Sequence, residues 1–346
     1  MMYLAYCIVI ILLAFLGDKK RGGNTFIRFL ACLCFVSFVG LRKYTVGVDS
    51  ATYGGLFYEI PHQDYVWMEI GFDSLIRYLY GMGFDYTSLF LTCIIFTAIP
   101  TFLFLENLKS FTLPAILIYI VGLLSVCNGM RQNIAVGIFM LASLFIIKRK
   151  LIPYIICISV ALLFHTSSAI LYPLYFIVNK TLSNRTYTIL YILSFVFCFV
   201  NMDGIIIELA SRLSVLGLSY GESFSDFTNP DMSVFGLLYV SFINASTFFL
   251  MIKTNSFKRH TVFSNLAFAS MVLKNISFSM VLVGRIMMYF DWFIYILYPM
   301  IINDLPISKQ LKKIIAFAFI VIYFIGFVKN IINPEMRMLP YLFYFE

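Results

Sequence analysis

Charge is scarce in this sequence. Only 12% of its 346 residues are Asp, Glu, Lys or Arg, whereas 61% are hydrophobic. A soluble domain carries about 25% charged residues, so this chain has too few charges to cover a water-exposed surface. The composition therefore excludes a soluble enzyme, a nucleic-acid-binding protein and a disordered chain, and it predicts that most of the surface faces lipid.

Metal-binding residues are scarce as well. The chain has three histidines, and its seven cysteines all lie inside apolar runs without forming a CxxC motif. A structural zinc site needs four Cys or His ligands at characteristic spacings. The sequence therefore predicts no zinc site, and the cysteines are interpreted as small buried apolar residues.

Apolar runs, by contrast, fill the chain. A bilayer core of about 30 Å is crossed by a helix of roughly 17–25 apolar residues, and several of the runs are shorter than this. Twelve segments are predicted to span the membrane: Met1–Leu16, Phe26–Leu41, Tyr86–Leu105, Phe111–Cys127, Asn133–Ile147, Leu151–Phe164, Ser167–Val178, Tyr187–Val200, Val234–Ile252, Thr261–Val283, Ile286–Ile302 and Ile314–Val328. The prediction is an all-α polytopic membrane protein that forms one membrane domain, residues 1–346.

The basic residues predict the orientation. With the N-terminus outside, the inner loops hold 16 basic and three acidic residues, and the outer side holds eight basic and 13 acidic ones, as the positive-inside rule requires. Two long loops, Arg42–Asp85 and Asn201–Ser233, then face outward. The inner loops are too short for a catalytic site, so function is expected at the outer face. Six of the eight outer basic residues are Arg, which suits bidentate binding of an anionic ligand.

The first long loop is predicted to contain an interfacial helix. Its apolar residues recur at i, i+3, i+4 and i+7, namely Phe72, Leu75, Ile76 and Leu79. Glu69, Asp73 and Arg77 recur at every fourth position and occupy another face.

The densest polar stretch begins where the second predicted span ends. Gly47 permits a turn, Asp49 can cap the following helix, and Tyr53 lies one helical turn after Asp49. Together with Arg42, this stretch is interpreted as a pocket for a phosphate and a sugar hydroxyl. The alternative is an ordinary helix cap beside an arginine that reaches the membrane surface.

Two further polar motifs lie at outer helix ends. Arg131, followed by Gln132, would stand at a helix N-terminus, where a cation is unfavourable unless an anion such as a ligand phosphate lies nearby. His165 has an intrinsic pKa suited to a general base. The alternatives are an exposed loop arginine and a polar helix-end cap.

A fourth cluster combines Lys274 and Arg285. If their helix is continuous, the two lie on one face about 16 Å apart. Tyr289 follows Arg285 by one turn, and Asp291 lies in the next span. A charge inside the membrane is usually functional or paired, and a Lys274–Asp291 pair is the structural alternative.

The order of these motifs resembles the EpsG family of exopolysaccharide and O-antigen polymerases, often called Wzy-type. The matching pieces are Arg42…Gly47-Val48-Asp49…Tyr53, Glu69-Ile70-Gly71-Phe72, Met130-Arg131-Gln132-Asn133-Ile134-Ala135, His165-Thr166-Ser167, Gly284-Arg285…Tyr289 and Leu339-Pro340-Tyr341. The resemblance implies transfer of a growing glycan from undecaprenyl diphosphate to the sugar of a new lipid-linked repeat unit, at the outer face of the inner membrane.

The resemblance and the outer motifs together assign roles. The base candidates are His165, Asp49 and Glu69. The predicted diphosphate- and substrate-binding residues are Arg42, Arg131, Gln132, Arg285, Tyr53, Tyr289 and Lys274. The outer face shows no DxD-type ligand cluster, so the reaction is expected to need no metal and no cofactor. The expected partners are the lipid-linked donor and acceptor, membrane lipid, a chain-length regulator and a flippase.

Two other classes of protein remain open at this stage. A flippase of lipid-linked oligosaccharide would suit twelve spans and an intramembrane lysine, although its polar residues should line a passage through both sides. A membrane-bound acyltransferase could use His165, but it would need an acyl-donor site at the inner face.

Overall fold

The computed structural model describes residues 1–19, 22–66, 68–197, 234–278 and 281–346. Within these ranges the regular structure is helical, and the only β-type pairing is an isolated bridge between Arg42 and Phe343. The helices are α1 (Met2–Leu16), α2 (Thr25–Gly40), α3 (Ser50–Glu59), α4 (Ile70–Gly81), α5 (Tyr86–Glu106), α6 (Thr112–Ile116), α7 (Leu123–Asn128), α8 (Met130–Ile147), α9 (Leu151–Phe164), α10 (Leu174–Ile177), α11 (Asn184–Val196), α12 (Val234–Lys253), α13 (Ser256–Arg259), α14 (Thr261–Ser277), α15 (Val281–Asp304) and α16 (Lys309–Ile332).

The long apolar helices identify a polytopic membrane protein. Five of the described helical stretches are long and apolar enough to cross a bilayer: Tyr86–Glu106, Met130–Ile147, Gly236–Lys253, Val283–Asp304 and Lys309–Ile332. Five more are apolar but shorter: Met2–Leu16, Thr25–Gly40, Thr112–Asn128, Leu151–Phe164 and Thr166–Ile177. Each of the twelve segments predicted to span the membrane overlaps helical residues of the described ranges, and twelve crossings remain a prediction.

The chain divides into two compact units. Unit 1 comprises Met1–Tyr175 and Pro306–Glu346, and unit 2 comprises Phe176–Leu305. The second long loop, Asn201–Ser233, lies outside the described residues.

In unit 1, α5 packs between α2 and α8, and α8 packs in turn against α9. Gly137 allows the close approach of α8 to α5, because a Cβ at this position would lie 2.5 Å from the carbonyl oxygen of Thr97. The same contact in a helix without glycine would force the two backbones apart. Unit 1 therefore has a tightly packed helical frame, and the candidate site lies at one end of it.

The first long loop folds onto this frame. The predicted helix is confirmed as α4, whose apolar residues Phe72, Ile76 and Leu79 are buried. They join one hydrophobic cluster with residues of α3, α5 and α8. The apolar face of α4 is thus covered by other helices of unit 1, and an interfacial position for this helix stays a prediction.

In unit 2, α14 and α15 pack along each other and carry the fourth motif. The predicted distance of about 16 Å between Lys274 and Arg285 depended on a continuous helix, and the structure does not meet that condition. Lys274 belongs to α14, which ends at Ser277, whereas Arg285 belongs to α15, which begins at Val281. The chain breaks the helix between them, so the 16 Å separation along one helix face does not apply.

Candidate active site

Three sequence motifs of unit 1 meet at the carboxylate of Glu69, which directly precedes α4. Its Oε2 atom accepts a hydrogen bond from Nη1 of Arg131. Its Oε1 atom lies 3.2 Å from Nδ1 of His165 and accepts the backbone N–H of Thr166 at 3.2 Å. Residues separated by almost 100 positions in the chain therefore share one carboxylate.

Gly71 makes this meeting possible. A Cβ on Gly71 would lie 2.7 Å from the carbonyl oxygen and 2.9 Å from the Cβ of Leu163, near the end of α9. Only glycine allows α4 to approach α9 so closely at this point. Since Glu69 precedes Gly71 by two residues and His165 follows Leu163 by two, the helix contact brings the two candidate side chains together.

Arg131 lies in the first turn of α8, two residues after Gly129, which separates α7 from α8. Its Nε atom donates to the Tyr53 hydroxyl at 3.4 Å, and its Cζ atom lies 5.8 Å from the ring centroid of Phe72. Nη2 donates to no atom of the described residues, and a quarter of the side chain is exposed. The sequence had predicted an anion near this cation. In the structure that anion is Glu69, and one nitrogen with two N–H groups remains for a ligand.

Glu69 is ionised at neutral pH. Burial opposes its ionisation, but the hydrogen bond from His165 and the positive charge of Arg131 outweigh burial and lower the pKa of Glu69 to about 2. Only 9% of its side chain is exposed. A carboxylate with so low a pKa is a weak proton acceptor at neutral pH, so this geometry suits Glu69 as a partner of His165 rather than as the base.

The backbone holds His165 at a helix junction. It is the C-cap of α9 and precedes a short 3₁₀ helix, Thr166–Leu171, and its side chain is 15% exposed. Because ionised Glu69 can only accept hydrogen bonds, the hydrogen bond between them requires a proton on Nδ1. In the neutral ring, the basic lone pair is then on Nε2.

A model of the EpsG family matches residues 25–343, nearly the whole chain. The chain belongs to the EpsG family. EpsG is a Wzy-like polymerase family. No curated protein and no solved structure matches the chain. The resemblance stated from the motif order is confirmed, and the match covers all the residues that meet at Glu69.

The environment of Arg42 in this EpsG-family protein differs from that of Arg131. The side chain is fully buried. Nη1 donates to the carbonyl oxygen of Val39 at 2.6 Å, Nη2 donates to that of Cys127 at 3.0 Å, and Nε lies 3.3 Å from both the Val46 carbonyl oxygen and Ser50 Oγ. All three guanidinium nitrogens thus bind the protein itself, which leaves Arg42 no exposed surface for a ligand. Its predicted diphosphate-binding role is untested, and these contacts favour a structural role.

The other predicted residues of unit 1 lie near these elements. Asp49 is exposed at the N-cap position of α3, but its side chain makes no capping hydrogen bond, contrary to expectation. Tyr53 follows one turn later, as predicted, and its backbone N–H donates to the carbonyl oxygen of Asp49 at 3.0 Å. Gln132 is buried in the first turn of α8. Burial raises the pKa of the Tyr53 phenol, so the phenol stays protonated beside Arg131.

In unit 2, Lys274 and Asp291 are near each other, as the structural alternative requires. Nζ of Lys274 lies 4.0 Å from Oδ1 of Asp291, which also accepts the Ser270 hydroxyl at 2.5 Å. Arg285 is exposed, and Tyr289, one turn further along α15, is fully buried. Their predicted roles in substrate binding are untested.

Sequence reasoning missed two parts of the site. The first is the backbone N–H of Thr166, which no side-chain pattern could reveal. The second is the C-terminal segment: Lys43 N–H donates to the carbonyl oxygen of Leu342 at 2.9 Å, and Gly47 N–H donates to that of Arg337 at 2.8 Å. The only signal for this segment was the Leu339-Pro340-Tyr341 motif, and it did not indicate a contact with residues 43–47.

No group of three or more His, Cys, Asp or Glu side chains suited to a metal ion occurs in the described ranges. Metal independence remains an expectation based on the sequence.

Proposed function

We propose that this EpsG-family protein is a membrane glycosyltransferase that polymerises undecaprenyl-diphosphate-linked repeat units into O-antigen or a related surface polysaccharide. The reaction would take place at the outer, periplasmic face of the inner membrane. The observation that supports this proposal is the ionised Glu69 shared by Arg131 and His165. A base with an orienting carboxylate and a cation with open donors are the groups that glycan transfer from a lipid diphosphate requires.

In the proposed reaction, Nε2 of His165 takes the proton of the acceptor sugar hydroxyl. The hydroxyl oxygen then forms a bond to the anomeric carbon of the donor glycan. The bond between that carbon and the diphosphate oxygen breaks, and the lipid diphosphate leaves with the electron pair. Glu69 holds the imidazole ring and stabilises the imidazolium that forms, the role of the carboxylate in other oriented-base sites.

Arg131 is proposed to stabilise the leaving diphosphate through Nη2, while Nη1 and Nε stay bound to Glu69 and Tyr53. Negative charge develops on the leaving group in the transition state, and donors already held in place stabilise that charge most effectively. Gln132, Lys274, Arg285 and Tyr289 remain proposed substrate-binding residues. Asp49 is the second candidate for the base because its carboxylate is exposed.

The test uses purified protein in liposomes with a lipid-diphosphate-linked repeat unit. We expect wild type to form a ladder of polymer, and we expect His165→Asn to lower the rate by about 10²–10⁴. Asparagine can still hydrogen-bond but cannot take a proton at neutral pH. His62→Asn is the matched control, because His62 is exposed in the first long loop, Arg42–Asp85, and its ring contacts Tyr80 rather than Glu69.

The outcomes separate the classes of function. Normal polymer from His165→Asn would remove His165 as the base and leave Asp49. If the wild-type protein does not elongate the lipid-linked repeat unit but moves it across the liposome bilayer, the protein is instead a flippase.

A further inference from the structure

Arg42 joins two helix ends. Its guanidinium donates to the carbonyl oxygens of Val39, in the last turn of α2, and Cys127, in the last turn of α7. Carbonyl groups in the last turn of a helix lack partners within the helix, and they carry partial negative charge. One arginine therefore satisfies acceptors at the ends of two helices that are far apart in the chain.

Within the part of the chain that the structure describes, this cation has no carboxylate partner. Among the described residues, no Asp or Glu oxygen lies within 4.0 Å of a guanidinium nitrogen of Arg42. The counterparts are carbonyl oxygens, the Ser50 hydroxyl and the ring of Phe90, whose centroid lies 4.4 Å from Cζ. A buried charge is costly unless its donors are satisfied, and all three nitrogens of Arg42 are.

The turn that follows Arg42 fits closely against the junction between α7 and α8. Val48 N–H donates to Oδ1 of Asn128 at 2.6 Å, and Ser50 Oγ donates to the carbonyl oxygen of Cys127 at 3.3 Å. Gly47 adopts a φ of +99°, and a Cβ there would lie 3.0 Å from the same Asn128 oxygen. Arg42 and this turn therefore hold the residues directly before α8.

We propose that Arg42 is a positioning residue: by tying the end of α7 to the end of α2, it sets where α8 begins and so where Arg131 meets Glu69. Gly129 alone separates the two helices, and Arg131 follows it by two residues. The consequence for activity rests on the proposed function, whereas the effect on the start of α8 does not.

The first test measures hydrogen exchange of the purified protein without substrate. Arg42→Lys keeps the charge but removes the planar set of donors that reaches both carbonyl groups. We expect the amides of residues 128–133 to exchange about tenfold faster, since opening of the junction requires less free energy. Unchanged exchange in this segment would overturn the proposal, whether or not the protein makes polymer.

The matched control is Arg28→Lys, at the other end of α2. Arg28 is also buried and also satisfied, but by Glu106 and the carbonyl oxygens of Gly17 and Gly23. Its replacement should leave the exchange of residues 128–133 unchanged. A rise of similar size in both variants would mean general loosening of unit 1 and would contradict a specific role for Arg42.

The second test is a double-mutant cycle on kcat. Arg42→Lys should lower kcat about tenfold in an otherwise wild-type chain, through misplacement of Arg131, and should change it less than twofold in an Arg131→Gln chain. Equal losses in both backgrounds would show that Arg42 acts independently of Arg131 and would contradict the positioning role. If Arg42→Lys does not accumulate in the membrane, Ser50→Ala replaces it, because Ser50 contacts both Arg42 and the Cys127 carbonyl oxygen. Ser50→Ala should lower kcat about threefold in the otherwise wild-type chain and leave kcat nearly unchanged in the Arg131→Gln chain.

The two proposals can fail separately. If Arg42→Lys raises the exchange of residues 128–133 but the wild-type protein makes no polymer, the positioning role is supported and the proposed function is refuted. If exchange is normal in both Arg42→Lys and Ser50→Ala and the wild-type protein makes polymer, the proposed function is supported and the positioning role is refuted.

Discussion

Arg42 and Arg131 occupy similar places in the sequence, at helix ends in polar motifs, yet the structure gives them opposite surroundings. Arg42 is fully buried and donates to carbonyl groups with all three nitrogens. Arg131 pairs with Glu69 and keeps Nη2 without a partner among the described residues. An arginine that stabilises the fold and one that can bind an anion therefore differ in how many of their donors the protein already uses.

The surrounding chemistry differs too. The partners of Arg42 are neutral acceptors, whereas Arg131 contacts a carboxylate that can be protonated. The two regions should therefore respond differently to loss of charge, to small changes in packing and to pH.

The largest expected effect comes from replacing each arginine by methionine, which removes the charge and keeps a long side chain. Arg42→Met should lower the free energy of unfolding by about 3 kcal/mol or more, because several buried carbonyl oxygens lose their donor at about 1–3 kcal/mol each. Arg131→Met should cost about 1 kcal/mol, since Glu69 keeps His165 and Thr166 as partners, but it should abolish polymer. Thermal unfolding in detergent, together with a polymerisation assay, measures both quantities. Equal loss of stability in the two variants would contradict the comparison.

The next largest effect concerns the contact that places Glu69 beside His165. Gly71→Ala should lower the polymerisation rate about 10²-fold, because a Cβ 2.7 Å from the Leu163 carbonyl oxygen forces α4 away from α9, and a shift of about 1 Å in a catalytic group has an effect of this size. Gly81→Ala is the control within the same helix. A Cβ there meets nothing within 4 Å, so the variant should be fully active and slightly more stable. Full activity of Gly71→Ala would show that the helix contact does not position Glu69.

Much of the fold could be predicted from the sequence, because helices in this protein follow apolar runs and regularly spaced apolar residues. Apolar runs and the distribution of basic residues predicted the helical segments, and the spacing of Phe72, Ile76 and Leu79 predicted α4. The end of α14 was misplaced: the predicted span Thr261–Val283 extends six residues beyond Ser277, and no proline or glycine marks that point in the sequence.

The site was predicted as a set of residue types but not as a set of contacts. Glu69, Arg131 and His165 were each identified, because polar residues at the ends of apolar helices are conspicuous. Their meeting depends on the fit of Gly71 against Leu163, a contact between distant segments that no local pattern encodes. The same limit explains why Arg42 and Arg131 were given one role: the sequence shows a cation but not which acceptors surround it.

A pH series sharpens the comparison further. Folding lowers the pKa of Glu69 from 4.5 to about 2, so its ionised form contributes stability above about pH 4.5, and that contribution is lost as the pH falls towards 2. The destabilisation caused by Arg131→Met should therefore be constant from pH 5.5 to 8 and shrink below about pH 4.5. That caused by Arg42→Met should stay the same, because its partners are carbonyl and hydroxyl groups. Tm measured for both variants and wild type across this range tests the difference, and parallel curves for the two variants would refute it.

The smallest expected effect is that of the Tyr53 hydroxyl. It accepts from Nε of Arg131 at 3.4 Å. Because this hydrogen bond is long, its loss should cost only about 0.5 kcal/mol, below the usual range of about 1.5–3 kcal/mol for a bond to a charged group, or about two- to threefold in kcat/KM. Tyr53→Phe keeps the ring, whose centroid lies 6.0 Å from Cζ of Arg131, so the guanidinium should stay in place and KM should change little. Tyr58→Phe, an exposed tyrosine on the same helix, is the control and should have wild-type kinetics. A loss of more than about 150-fold in Tyr53→Phe would exceed the roughly 3 kcal/mol that one hydrogen bond to a charged group supplies, and Tyr53 would then have to contact the substrate directly.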